Sequence, residues 1–311
     1  MQLYNHQERS KLLSLNHTNH SPYQPNGLVT IINQPTHGYT IFEITKRMKV
    51  HSLMNDLEII PSNLFQQYLL QVNDLQQKFD ALKDAEISTD TFSFYISVSA
   101  VFSSKIEGED IELDSYIKHK GMGIAFKPDY TKKIDDLYSA YLFAQNNPLT
   151  KVNIAKAHKL LAHNIVSAGF QGKLRTSNMY VTTDDGRIEY VAASPFELKA
   201  AMDRFYMEVA ILVKQQLSVE EVFYYAAYIH LVFVKIHPWN DGNGRSGRLL
   251  EKWFIAQHLG PKAWYLQSEK NYYLHHQTYY QNLRKLGIEY AELDYTKALP
   301  FLLMLPKSLN L

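Results

Sequence analysis

From Pro61 onward the hydrophobic positions keep a helical period. Leu64, Tyr68, Leu69, Val72, Leu75, Phe79 and Leu82 recur mostly three or four residues apart, which predicts one long amphipathic helix. Similar runs predict helices at about 91 to 107, 130 to 146, 152 to 167, 196 to 215, 218 to 236, 244 to 258, 270 to 286 and 292 to 304. The run from 218 to 236 is apolar on nearly every face, and Ser218 followed three residues on by Glu221 is a capping-box signature, so this is the expected buried central helix. The rhythm breaks once. Met179, Tyr180 and Val181 precede Asp185-Gly186, and Ile188, Tyr190 and Val191 follow, the pattern of a hairpin around a tight turn. Residues 1 to about 50 differ again: they are rich in Asn, His, Gln, Pro and Thr, with short strands expected only at Leu28 to Ile32 and Tyr39 to Ile44. The expected class is mainly α, a helical bundle with one β-hairpin, and no repeat, heptad array or Gly/Ser linker divides it.

Composition narrows the chemistry. The 311 residues hold no cysteine, which removes thiol catalysis, Cys-ligated zinc, iron–sulfur clusters and a disulfide scaffold. With 32 Lys+Arg against 31 Asp+Glu the net charge is +1, so the chain has no global electrostatic reason to bind nucleic acid, and no nucleic-acid partner is expected. A hydrophobic fraction of 46% with 20% charged residues is that of a folded globular chain. The longest nearly apolar stretch, Val222 to Ile236, is interrupted by His230 and Lys235 and falls short of the ~20 residues that span a bilayer, so no membrane span is expected. Met1 to Leu12 lacks the apolar region of an export signal, and a cytoplasmic location is the expectation. The 22 tyrosines read as amphipathic packing.

Reactive groups concentrate directly after the central helix, in His237-Pro238-Trp239-Asn240-Asp241-Gly242-Asn243-Gly244-Arg245-Ser246-Gly247-Arg248. Pro238 should end the helix and fix His237 at its terminus. Gly242-Asn243-Gly244 tolerates a tight loop whose N–H groups approach a ligand. With the helix N-terminus carrying Arg245, Ser246, Gly247 and Arg248, it makes a site for a polyphosphate. Asp241, beside those phosphates, is the candidate ligand for a divalent metal, Mg2+ or in its place Mn2+. A histidine titrates near pH 6.5, so His237 has the neutral fraction that a general base needs. Base, metal carboxylate, anion loop and paired arginines together point to phosphoryl or nucleotidyl transfer. Each feature alone has a duller explanation as a cap, a turn or a solvated face; twelve consecutive residues carrying all of them do not.

This window resembles the signature of Fic-domain proteins, His-Pro-Phe-x-Asp/Glu-Gly-Asn-Gly-Arg-x-x-Arg, with Trp239 in place of the phenylalanine. The resemblance implies the Fic fold over residues 91–311, with the hairpin as its flap, and leaves 1–90 as an N-terminal arm and helical extension. It implies transfer of AMP from ATP to a Tyr, Thr or Ser hydroxyl of a target protein, with His237 as catalytic base, Asp241 on the metal and Asp241 to Arg248 around the phosphates. Along the flap, Tyr180, Val181, Thr182 and Thr183 would lie beside ATP, and a target segment would pair with the flap edge. Gly172-Lys173-Leu174-Arg175 is similar to the family's Gly-x-x-Arg lead-in, and Tyr279 and Tyr280, followed by Leu283, resemble its Tyr-Tyr-x-x-Leu near the adenosine.

Upstream, Ser103-Ser104-Lys105-Ile106-Glu107-Gly108 resembles the family's inhibitory motif, Ser/Thr-x-x-x-Glu-Gly/Asn, placed N-terminally as in the autoinhibited subclass. Ser103 and Glu107 share a helix face and Gly108 would cap it. Glu107 paired with Arg248 would take the guanidinium that should hold the γ-phosphate. Two other readings are compatible with the residues. One is hydrolytic removal of AMP from a modified protein; the other is a nucleotide-sensing module without turnover, which needs neither His237 nor Asp241. Self-modification is a further outcome of the transferase reading, and a homodimer is expected by analogy with relatives. The short stretch after the last predicted helix leads to the expectation of no C-terminal DNA-binding appendage.

Overall fold

The computed structural model describes residues 57–89, 93–126, 128–182 and 188–311. The expected strands at Leu28 to Ile32 and Tyr39 to Ile44 lie outside them. The class is as the pattern predicts: helices throughout, with one antiparallel hairpin.

The helix expected from Pro61 to Leu82 is two short ones, α1 (Phe65–Leu69) and α2 (Leu75–Asp80). Asp74 adopts a left-handed backbone at φ 59, a conformation that Asp and Asn tolerate better than other side chains, and it breaks the run. The apolar period survives the break, because Leu64, Tyr68, Leu75 and Phe79 are all buried. Next come α3 (Phe94–Ile106), capped by the Ser93 side chain, and α4 (Leu113–Met122). The hydrophobic pattern misses α4 because Tyr116 is its one buried residue. Helix α5 (Pro128–Gln145) follows, then α6 (Lys151–Leu161), capped by Thr150 and ending six residues before the expected 167 in a series of turns.

Strands β1 (Tyr180–Thr182) and β2 (Ile188–Val191) pair antiparallel, with Tyr180 opposite Val191 and Val181 opposite Tyr190. The far side of β2 is also occupied, since the Val191 N–H donates to the Ile288 carbonyl at 2.8 Å. Helix α7 (Pro195–Val213) starts on a Ser194 cap with proline in its first turn. Helix α8 (Val219–Ile236) is the central one: it begins with both bonds of the capping box, and nearly every residue in it is buried. Helix α9 (Asn243–Leu259) packs along α8. At their crossing a Cβ on Gly247 would fall 2.7 Å from both His230 and Val234, so only glycine permits this approach.

The expected helix at 270 to 286 is also divided, into α10 (Ser268–Leu274) and α11 (His276–Arg284), and 292 to 304 becomes short 3-10 turns followed by α12 (Leu299–Leu302) and α13 (Met304–Lys307). The core wraps α8 on all sides. It includes residues well before the window 237–248: the Glu208 carboxylate of α7 accepts N–H bonds from Glu58, Ile59 and Ile60, and the Tyr224 hydroxyl of α8 donates to the Pro61 carbonyl at 2.9 Å. Among the described residues no helix is long and apolar enough to cross a membrane.

Candidate active site

The site is built where α8 ends. His237 takes a left-handed backbone, φ 56 and ψ 59, as the last helical N–H closes on the Phe233 carbonyl. For a residue with a side chain this conformation is costly, and a buried arginine holds it. Arg175 donates from Nε to the His237 carbonyl at 2.8 Å, and its other nitrogens reach the carbonyls of Ser177, Ala193 and Ile236. Its own backbone N–H meets the Pro238 carbonyl at 3.0 Å. A cation fits here because the carbonyl end of a helix carries partial negative charge.

The His237 ring is oriented by its Nδ1, 3.1 Å from the Val234 carbonyl. A carbonyl only accepts, so Nδ1 carries the proton and Nε2 is the basic nitrogen. Burial lowers the ring's pKa below its ordinary value, with Arg175 acting in the same direction against the Val234 bond and the nearby carboxylates. The imidazole is therefore neutral at pH 7.

The loop that follows is closed by two residues. The Asn243 side chain accepts from the Trp239 N–H at 2.8 Å and donates to the Trp239 carbonyl at 2.9 Å, so it ties the loop to its own helix. His158 of α6 stacks on Trp239 with ring centroids 4.4 Å apart. The Gly172 N–H donates to its Nδ1 at 2.8 Å, so Nε2 carries the proton and donates to the Asp241 carbonyl at 3.0 Å. Burial pushes this histidine's pKa down to about 4, and it stays neutral. Sequence reasoning missed His158, because a lone histidine in a helix carries no signal. Gly242 has φ 79, and a Cβ there would lie 2.9 Å from Leu161.

The predicted residues fall into three groups. His237, Gly244, Arg248, Glu107, Val181, Tyr279 and Tyr280 line one cleft of about 720 Å3, partly open to solvent. Asn243, Arg245, Ser246 and Gly247 are buried and do not line it, while Asp241 is exposed and near enough to act on the His237 ring, with one carboxylate oxygen taken by the Gly242 N–H at 2.5 Å. On the flap, side chains alternate, so Val181 faces the cleft whereas Tyr180 and Thr182 are exposed; Thr183 lies outside the described residues. Two polar atoms in the first turn of α9, Arg245 Nε and Ser246 Oγ, are buried without a partner.

The far wall is the end of α3. Arg248, fully buried, donates from Nε to Ser103 Oγ at 2.8 Å and through a terminal nitrogen to the Ser103 carbonyl at 3.0 Å and Glu107 Oε1 at 2.5 Å. Gly108 takes φ 87 and ends the helix. Burial would raise the Glu107 carboxyl, but Arg248, Arg245 and the hydrogen bond to Arg248 hold it below the usual carboxylate range. Gly244 makes the contact feasible, because a Cβ there would collide with Glu107 Oε1. A second carboxylate went unnoticed in the sequence: Glu109 lies 3.4 Å from Arg245 and 2.7 Å from Lys133.

Among the described residues no three His, Cys, Asp or Glu side chains are placed to hold a metal. The donor set does fit an ion that brings most of its ligands with it, as Mg2+ does with phosphates and water, since Asp241 has one carboxylate oxygen to spare.

Residues 148–255 match the family model described as Fic/DOC family. The protein adenylyltransferase Fic of Drosophila mojavensis is 26% identical over 177 residues, 57% of this chain and 31% of that protein, so the chain spans less than a third of that relative's length. A Fic family protein from Desulfovibrio desulfuricans superposes with a TM-score of 0.59 at 17% identity, over 89% of this chain and 76% of that one. Fic-1 from C. elegans gives 0.59 at 17% over 86% and 74%, and a Fic domain containing signaling protein from Bacteroides thetaiotaomicron gives 0.57 at 19% over 78% and 94%. The structural likeness is one of fold, and over residues 148–255, which hold the motif and the flap, the chain is similar to the Fic/DOC family.

Proposed function

We propose that this chain is a protein adenylyltransferase in a self-restrained state, which moves AMP from ATP to the hydroxyl of a target protein. The observation that supports the reading most is the contact of Glu107 with Arg248 in the cleft that also holds His237. A guanidinium at the N-terminus of α9 serves to bind a phosphate, and the chain itself supplies a carboxylate that competes for it.

His237 Nε2 takes the proton of the target hydroxyl as its oxygen attacks the α-phosphorus; the bond to the β-phosphate oxygen breaks and pyrophosphate leaves. The N–H groups opening α9 hold the phosphates, with Arg245 and Arg248 joining once Glu109 and Glu107 withdraw. Mg2+ or Mn2+ bound through Asp241 and the phosphates would neutralise charge on the leaving group. The target segment adds to β1, because the far side of β2 is already paired with residue 288. Release of the restraint requires the end of α3 to shift, which frees Arg245 from Glu109 as well as Arg248 from Glu107.

Labelled ATP tests this. Glu107→Gly should label itself or a lysate protein at least tenfold faster than the wild type, and adding His237→Ala should abolish the label. Equal labelling by wild type and Glu107→Gly would remove the restraint. Release of AMP from a modified target without labelling would favour the hydrolytic reading.

A further inference from the structure

Lys235 is the penultimate residue of α8, two positions before His237, and 4% of it is exposed. Its ammonium has two neighbours, the Gly287 carbonyl at 3.4 Å and the Tyr190 ring with its centroid at 4.0 Å. Neither is a carboxylate, and an ammonium carries three N–H donors. Burial alone lowers its pKa, to about 8, so it remains cationic at pH 7. A buried cation with unused donors is an expensive arrangement unless a partner arrives.

Lys235 lines the same cleft as His237 and Arg248. Helix α11 gives the direction along it. Tyr279 lies beside Arg248; one turn on come Leu283 and Arg284, which also line the cleft, and the chain then reaches Gly287 over Lys235. Lys235 therefore stands at the end of the cleft away from the phosphate-binding arginine. The same end carries Glu189, ion-paired with Arg284. With Glu189 offset by Arg284, the Lys235 ammonium is the cation left without a carboxylate at this end, and it suits a group that presents hydrogen-bond acceptors.

We propose, resting on the nucleotide-transfer reading above, that Lys235 is a specificity-determining residue for the donor nucleotide, its ammonium donating to a ring nitrogen of the purine base seated between Val181 and α11. A cation reads an acceptor, and the adenine ring edge offers N1, N3 and N7. The amino group at C6 is a donor and cannot serve. The remaining phenolic and apolar wall, Tyr280 and Leu283, supplies the platform on which the base lies.

The test measures nucleotide affinity by calorimetry in the Glu107→Gly background, with and without Lys235→Met, a replacement of similar length that removes the donors. The probes are ATP, its 1-deaza, 3-deaza and 7-deaza analogues, and inorganic tripolyphosphate, which has no base. One deaza analogue should bind the Lys235 protein roughly tenfold or more weakly than ATP, the loss expected for a hydrogen bond to a charged donor. Lys235→Met should bind ATP with the same loss and no longer distinguish that analogue from ATP, while tripolyphosphate binds both proteins equally. If all three analogues bind the Lys235 protein as ATP does, or the discrimination persists in Lys235→Met, the proposal is overturned and the nucleotide reading stands. Weaker tripolyphosphate binding by Lys235→Met would likewise overturn it, since the residue would then act on the phosphates or on the shape of the cleft. Absence of any ATP binding by the Lys235 protein would overturn both.

Discussion

His237 and Asp74 are the non-glycine residues with left-handed backbones among those described, and they differ in what holds them. Asp74, itself exposed, merely breaks an amphipathic run. His237 is fixed by Arg175 on its carbonyl and by Val234 on its ring, so the basic nitrogen is presented at one position and in one tautomer. The pH dependence follows from its burial. A base works when deprotonated, and a pKa lowered from 6.5 means that the neutral form already prevails below pH 6.5. In the Glu107→Gly protein kcat/KM should rise with pH to a plateau, with its ascending midpoint below pH 6.5. A pH–rate profile with its ascending midpoint above 6.5 would contradict the assignment of His237 as base. The arginines hold Glu107 below the usual carboxylate range against the effect of burial, so its contact with Arg248 in the wild type should persist from pH 5 to pH 8. At this scale the site was largely legible, because residues 237 to 248 announce themselves in one contiguous window. Arg175 appeared only through a resemblance, and His158 not at all: each acts on a segment more than sixty residues away, and spacing along the chain carries no record of that.

Between elements, the α3–α9 contact repeats with a helical period. Arg248 and Lys252 stand one turn apart on α9, and they meet Ser103 and Ser99, one turn apart on α3. The contact of Glu107 with Arg248 is thus the last of a polar seam. Lys252 is fully buried, and its three donors go to Ser99, the Leu266 carbonyl and Glu269, each at 2.6 Å, while Tyr141 of α5 donates to the other oxygen of Glu269 at 2.6 Å. Removing one partner leaves an uncompensated buried charge. Lys252→Met should therefore lower unfolding stability by about 3–5 kcal/mol, and pairing it with Glu269→Gln should recover much of that loss. Urea unfolding of the two variants checks this; equal loss in the single and double variants would contradict the pairing. The helices themselves were readable because burial of one face imposes the 3.6-residue period on their apolar positions. The divisions of the long runs at Asp74 and His275 were not. A short interruption leaves that period intact on either side, and only the backbone conformation reveals it.

The molecule as a whole is organised around α8 rather than around the motif. The motif covers one end of that helix, and another part of its surface is covered by residues 57–82, far upstream in the sequence. Leu57, Ile60, Leu64, Tyr68, Leu75 and Phe79 are all buried in the one core cluster. Tyr68 packs edge-on against Tyr224, and Phe79 against Phe223, both on α8. Composition could not reveal this, since the segment reads as an ordinary amphipathic run whose partner is not named by its own residues. Its energetic weight is large. A fully buried side chain of this size contributes about 1.5–3 kcal/mol, so the six together amount to roughly 9–18 kcal/mol, comparable with the 5–15 kcal/mol net stability of a typical domain. A chain shortened to residues 91–311 keeps every motif residue and loses that cover. It should unfold at markedly lower temperature than the full chain or precipitate, exposing Phe223 and Tyr224 to solvent. Calorimetry of the shortened and the full chain decides the matter: if the 91–311 chain melts within a few degrees of the full protein, the upstream helices are an appendage to the helical body and not part of its core.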